Sequence, residues 1–270
     1  MNYFKIPAVE LGDNAKIKII KLGDPGEVFY EMAIEMIKEI KKNNSVGKRT
    51  VFICPVGPVG QYPIFVRLIN ENNISLKNVW FINMDEYLND NKQWIDINHR
   101  LSFRGFMART VYSNIKPTLV MPDEQRIFPD PNNITYIPNL IEELGGVDIA
   151  FGGIGINGHI AFNEPQDIPI DEFAQLKTRV REIAQETRAM NSVSDLGGAI
   201  NAMPKWCVTV GIKEILGAKK IRLYCFRDWH RAVVRQAAYG EVSSQFPVTI
   251  VQTHPDAAIT VTANVAQPAF

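Results

Sequence analysis

The chain has 270 residues with 29 basic and 29 acidic side chains, so its formal net charge is zero. That balance argues against a broad nucleic-acid-binding face, because affinity for a phosphate backbone comes from an excess of Lys and Arg. Apolar residues make up 46% and charged residues 21%, the proportions of an ordinary globular domain, and no run of about 18 apolar residues is present to cross a bilayer.

One domain spanning residues 1–270 is expected, since no Ser/Gly-rich linker, charge run or repeat divides the chain. The segment Met1 to Asp13 has neither the basic start nor the apolar stretch of a secretory leader. Cys54, Cys207 and Cys225 lie in apolar runs without metal-ligand spacing, which reads as reduced core thiols in a cytoplasmic protein.

In chain order, Asp24 to Lys42 opens on a capping aspartate and a proline. It then places Val28, Phe29, Met32, Ala33, Met36, Ile37 and Ile40 at helical spacing, predicting an amphipathic helix. Short apolar runs follow at Thr50 to Cys54, Val79 to Met84, Val147 to Phe151, Trp206 to Val210, Ile221 to Phe226, Val248 to Val251 and Ile259 to Val261. Runs of this kind suit strands of a sheet covered on both faces. Helical patterns lie between them at Ile64 to Asn72, His99 to Ser113, Tyr136 to Leu144 and Trp229 to Tyr239. The alternation predicts a three-layer α/β/α sandwich with a mostly parallel central sheet.

Ligands of such sheets bind beyond the carboxyl ends of the strands. Four segments meet that condition: Pro55 to Pro63, Asp85 to Tyr87, Gly152 to Pro165, and Arg227 to Arg231. The third is the most informative. It joins an apolar run to a glycine-rich turn and then to His159 and Glu164, with Asn157 just before the histidine. Gly153, Gly155 and Gly158 match the G-x-G-x-x-G spacing of dinucleotide sites, but that reading requires a helix directly after the turn, and Pro165 and Pro169 oppose one. The clustered polar groups suit proton transfer, while the isolated histidines give no metal-ligand spacing.

Met84-Asp85-Glu86-Tyr87 and Gly158-His159-Ile160-Ala161-Phe162-Asn163-Glu164-Pro165 resemble the two signatures of the glucosamine-6-phosphate deaminase/isomerase family. The resemblance extends in order through Glu186-Thr187-Arg188, Pro204-Lys205, Val208-Thr209-Val210-Gly211 and Gln236-Ala237-Ala238, covering most of residues 50 to 255. It implies a single α/β/α domain and a reaction without cofactor or metal, in which an amino-sugar 6-phosphate becomes a ketose phosphate and ammonia. By the same resemblance Asp85 would take the C2 proton, His159 would open the sugar ring, and Glu164 would orient and polarise the histidine. Arg188 aligns with a phosphate-binding arginine and Arg231 falls where a phosphate-binding lysine is usual.

Two departures from the family pattern bear on chemistry. Asn157 stands where the family usually has aspartate; an amide carries no charge to stabilise a histidinium and would favour the wrong tautomer, so ring opening would suffer. The turn Cys54-Pro55-Val56-Gly57-Pro58-Val59-Gly60-Gln61-Tyr62-Pro63 lacks the hydroxyls of a typical phosphate loop, leaving Gly57, Gly60 and Gln61 as donors. A weakened sugar-phosphate-binding homologue and a lactonase on a phosphorylated sugar acid stay open as alternatives. The expected partner is a small sugar phosphate, and a homo-oligomer is compatible with the sequence.

Overall fold

A computed structural model describes residues 2–270. The chain runs β1 (Lys18–Leu22), α1 (Pro25–Ser45), β2 (Thr50–Cys54), α2 (Gln61–Glu71), β3 (Val79–Asn83), β4 (Asp85–Leu88), α3 (Phe103–Thr110), β5 (Arg126–Ile127) and α4 (Tyr136–Glu143). It continues with β6 (Ile149–Gly152), α5 (Ile170–Ala174), β7 (Arg179–Glu182), α6 (Gln185–Asp195), β8 (Trp206–Thr209), α7 (Ile212–Leu216), β9 (Lys220–Cys225), α8 (His230–Tyr239) and β10 (Ala257–Thr262). Seven strands form one sheet in the order β1-β10-β9-β6-β2-β3-β5, and every neighbouring pair is parallel.

Alternation along the strands divides the core between the two faces of this sheet. Phe52 of β2, Phe81 of β3 and Phe151 of β6 point to one side, where Met32, Met36 and Ile40 of α1, Phe65 of α2 and Met107 of α3 cover them. Val51, Ile82, Ala150 and Leu223 point to the other, beneath Ile137 and Leu140 of α4, Ile215 of α7, and Val233 and Ala237 of α8. The expected three-layer α/β/α architecture is therefore present. The long helix α1 starts where the sequence places it: the Asp24 side chain accepts a hydrogen bond from the Glu27 backbone, with proline in the first turn.

Three elements depart from the sequence reading. Val248 to Val251 is not a strand but part of a 3-10 turn, Pro247–Thr253. Proline opens the segment, and the Val248 N–H bonds to the carbonyl of Gly158 rather than to a ladder, so the run is apolar because it is buried beside the loop that carries Gly158. Trp206 to Val210 supplies β8 of a separate three-stranded antiparallel sheet, β4-β8-β7, instead of the central one. Within His99 to Ser113 only Phe103–Thr110 is α-helical, its start set by Ser102, whose hydroxyl accepts from Gly105 N at 3.1 Å.

The small sheet positions the site. Met84 is the residue at which the chain leaves the parallel sheet for the antiparallel one: its N–H bonds to Cys54 O at 2.9 Å and its carbonyl accepts from Val210 N at 2.7 Å. Asp85 follows at once and pairs with Thr209 of β8. Tyr87, Phe162, Leu101 and Cys207 form a compact apolar cluster beneath this sheet.

Candidate active site

Beyond the carboxyl ends of the adjacent strands β9, β6, β2 and β3 lies a cavity of about 350 Å³. All four segments singled out in the sequence line it, through Pro55 to Val59, Asp85 and Tyr87, Gly153 to Ile156 with His159, and Arg227 with Trp229 and His230. Helix α6 closes one wall with Thr187, Met190, Asn191 and Asp195. Ligands in open α/β sheets bind at this end of the strands.

His159 is held by its own loop. The Gly155 N–H bonds to the His159 carbonyl at 2.9 Å, and a Cβ on Gly155 would lie 1.9 Å from the imidazole Cε1, so the ring packs directly on glycine backbone. Gly158 has φ +82, and a Cβ there would strike the Phe246 ring at 2.7 Å. Both positions require glycine, one for space and the other for its left-handed backbone as well. Ala161, two residues past the histidine, adopts φ 54, a conformation uncommon for a non-glycine residue. No helix follows the turn before α5, so the dinucleotide spacing of its glycines has no structural counterpart here.

The polar network behind His159 is dense. Its Nδ1 lies 2.7 Å from Asn157 Oδ1, 3.1 Å from Thr187 Oγ1 and 3.4 Å from Glu164 Oε2. The Asn157 amide N–H donates to Glu164 Oε2 at 2.8 Å, and the Thr187 hydroxyl donates to the same oxygen at 3.1 Å. The backbone N–H of Ala184 donates to Glu164 Oε1 at 3.3 Å. Only one amide orientation suits this arrangement. Asn157 must offer N–H to the carboxylate and therefore its oxygen to the ring, which fixes the proton on Nδ1 and leaves Nε2 as the free nitrogen.

This corrects the expectation that Asn157 favours the wrong tautomer. The amide relays the Glu164 charge, and the carboxylate itself is close to the ring. Burial alone would raise the Glu164 carboxyl, but the charge and hydrogen bond of His159, with the hydrogen bonds of Asn157 and Thr187, bring it down to about 2. Glu164 is thus a fixed anion under almost fully buried conditions.

Asp85 has the opposite character. The residue is only 8% exposed, and burial, reinforced by the neighbouring Glu86 charge, raises its carboxyl from 3.8 to about 8. Glu86 is wholly buried and points away, accepting hydrogen bonds from Ser102 Oγ and from the Phe103 and Arg104 backbones at the start of α3. One carboxylate of the Asp-Glu pair therefore anchors a helix, while the other faces the cavity beside His159.

Not every residue expected at the site reaches it. Gly57 lines the cavity. Gly60 does not; a Cβ there would collide with the Phe29 ring at 2.3 Å, so it is glycine to admit α1. The Gln61 amide is buried and donates to Pro58 O at 2.7 Å, which braces the turn. The Arg188 guanidinium turns away to the carbonyls of Ile200 and Met203, and that of Arg231 bonds to Asn264. Neither arginine lines the cavity. Arg100, Asn191 and Asp195, which do, were not singled out in the sequence; they come from a loop and from the middle and end of α6, with no local signature. Thr187 had one signal, its place within the Glu186-Thr187-Arg188 match.

No protein-family model matches the chain. A glucosamine-6-phosphate deaminase of Mycoplasma mycoides subsp. mycoides SC is 31% identical over 255 residues, which cover 93% of this chain and 96% of that protein. The chain belongs to the glucosamine-6-phosphate deaminase family. The deaminase of Staphylococcus saprophyticus is 30% identical over 250 residues, covering 90% of this chain and 96% of the relative. A solved structure of a monomeric glucosamine-6-phosphate deaminase superposes with a TM-score of 0.80 at 25% identity, covering 93% of this chain and 99% of that one. The 6-phosphogluconolactonase of Trypanosoma cruzi, at 16% identity and a TM-score of 0.65, shares the fold.

Proposed function

We propose that this protein is an aldose–ketose isomerase/deaminase that converts an amino-sugar 6-phosphate, glucosamine 6-phosphate or a close relative, to the ketose phosphate and ammonia. The observation that carries the reading is the pairing of two groups on one cavity. A buried, high-affinity carboxyl at Asp85 faces it together with an imidazole whose tautomer Asn157, Thr187 and Glu164 fix.

The chemistry follows from those properties. The free Nε2 of His159 takes the proton of the anomeric hydroxyl and returns one to the ring oxygen, opening the sugar to its aldehyde. Glu164 stabilises the imidazolium formed on the way. Ionised Asp85 then removes the C2 proton while the substrate's ammonium group gives a proton to O1, forming a C1–C2 enol bearing the amine, and the Asp85 carboxyl delivers its proton to C1. The resulting C2 imine adds water and expels ammonia, leaving the ketose. A carboxyl raised toward 8 holds the proton between the two carbons better than an ordinary aspartate, since base strength follows proton affinity.

The proposal treats residues 1–270 as one deaminase-like domain, a cytoplasmic enzyme of amino-sugar catabolism acting on a free small molecule. It is supported by the deaminase relatives that span nearly the whole chain. The test is ammonia and ketose-phosphate release from a panel of hexosamine 6-phosphates, with Asp85→Asn alongside. Turnover by the parent and its loss in the variant are expected; hydrolysis of a phosphorylated sugar lactone without any ammonia release would overturn the reading in favour of a lactonase.

A further inference from the structure

A substrate phosphate needs cationic or N–H donors, and the turn after β2 supplies backbone N–H groups alone, with no charged side chain and no hydroxyl free to face the anion. Pro55 and Pro58 have no N–H, Val56 and Val59 have no hydroxyl, and the Gln61 amide is committed to Pro58. The two arginines suggested by sequence bond elsewhere.

Among the described residues lining the cavity, Arg100 and Arg227 are the only arginines or lysines. Arg100 precedes the cap of α3, and Arg227 lies between β9 and α8. Neither takes part in an ion pair with a carboxylate among the described residues. The Arg227 guanidinium is steadied by one hydrogen bond to Ser194 Oγ at 2.6 Å and by the Phe226 ring, 5.8 Å away. Asp195, the last residue of α6, is half-buried in the same cavity. Burial raises its carboxyl, and the charges of Arg227 and Arg100 on the same cavity pull it partway back.

We infer that Arg100 and Arg227 form the anion clamp of this cavity and hold the substrate phosphate, a site carried by two loops instead of by the glycine turn after β2. The inference rests on the sugar-phosphate reading above for the identity of the anion. Two guanidiniums present parallel N–H forks that match phosphate oxygens, and being unpaired they lose no carboxylate partner when phosphate arrives. Asp195 is no ion-pair partner of either guanidinium, but it lines the same cavity, and its negative charge opposes an anion bound there. It therefore works as a specificity-setting residue that weakens anion binding.

Calorimetry with inorganic phosphate, and steady-state kinetics with the hexosamine 6-phosphate that the parent turns over, test the clamp. Arg227→Met and Arg100→Met are each expected to raise the phosphate Kd and the substrate KM by roughly tenfold or more, the loss of one charged hydrogen-bonding partner, with kcat held within a few-fold. Asp195→Asn is expected to lower the phosphate Kd. Arg67→Met, on the exposed face of α2, controls for loss of charge alone. If either methionine variant melts early, Arg→Lys at the same position carries the test, since it keeps charge but loses the bidentate fork; weaker phosphate binding is again expected. A folded Arg100→Met/Arg227→Met double variant with the parental phosphate Kd would overturn the clamp. Phosphate binding that depends on both arginines in a protein that releases no ammonia would leave the clamp standing and remove the deaminase reading. Turnover whose KM ignores both arginines would do the reverse.

Discussion

The side-chain oxygen of Asn157 lies 2.7 Å from Nδ1 of His159, while the nitrogen of the same amide donates to Glu164 at 2.8 Å. An aspartate at this position would place two carboxylates against each other, whereas asparagine bridges the carboxylate and the ring. The amide gives up a formal charge and retains the orientation and tautomer of the imidazole. With Glu164 only 3.4 Å from Nδ1, a negative charge still stands beside the ring.

Asn157→Ala removes that bridge and leaves Thr187 as the sole short partner of Nδ1. We expect kcat to fall by about 10²-fold, the usual range for a general acid–base group deprived of its orientation, with little change in KM. Asn157→Asp is expected to do something different. Two adjacent carboxylates cannot both stay ionised, so the pair takes up a proton at a higher pH than Glu164 alone. The kcat–pH profile of Asn157→Asp should gain an ionisation on its acid side that the parent lacks, and superimposable profiles would refute the bridge.

Glu164→Gln tests the anion itself. Its carboxyl is held down at about 2 against an ordinary 4.5, so the folded state has the lower proton affinity. The stability it contributes is present above pH 4.5 and is lost as pH falls toward 2. Glu164→Gln should therefore flatten acid unfolding across that window in a circular dichroism titration. It should also lower kcat, because a neutral amide supplies no charge to the imidazolium, and its NH2 end must meet an N–H donor of either Asn157 or Ala184.

Much of this was legible in the sequence, for a physical reason. β2, β3 and β6 are buried on both faces, so Thr50 to Cys54, Val79 to Met84 and Val147 to Phe151 stand out as unbroken apolar runs. β1 was missed because it is an edge strand whose Lys18 and Lys21 are exposed, which breaks the run. Helix α6 was missed because few of its residues are buried; only Thr187 and Ser192 are, and Thr187 is there for the site. Asp85 and His159 are local to strand ends and could be read from position. The cavity arginines could not, since Arg100 and Arg227 reach one cavity only through the folding of two loops far apart in sequence.

Gly155→Ala separates loop shape from chemistry. The added Cβ would occupy the space of the imidazole, 1.9 Å from Cε1 and 2.2 Å from Nε2, so the ring must swing off its Asn157 and Thr187 partners. The backbone of Gly155 has no left-handed φ, which leaves steric displacement as the only effect. We expect kcat to fall by on the order of 10²-fold or more, as for other small displacements of a catalytic group, with the melting temperature lowered only slightly. Retained activity would show that the ring position seen here is not the working one.

The pH dependence of Asp85 can be read in two independent ways that must agree. Burial and the Glu86 charge raise its carboxyl from 3.8 to about 8, so at pH 7 most of the free protein carries it protonated. As the base for C2 it must be ionised, so kcat/KM should climb as pH rises through about 8 and then level. Stability should move the other way. The contribution of the neutral carboxyl is complete below pH 3.8 and declines as pH rises toward 8, where the native state is forced to hold a buried charge. Asp85→Asn, neutral throughout, should therefore melt progressively above the parent across that interval. The gap should reach on the order of a few kcal/mol by its upper end, one pKa unit being worth about 1.4 kcal/mol. An activity limb near 4 together with a pH-independent stability difference would mean that Asp85 is an ordinary, solvated aspartate. In that case the cavity would have no base poised for the C2 proton.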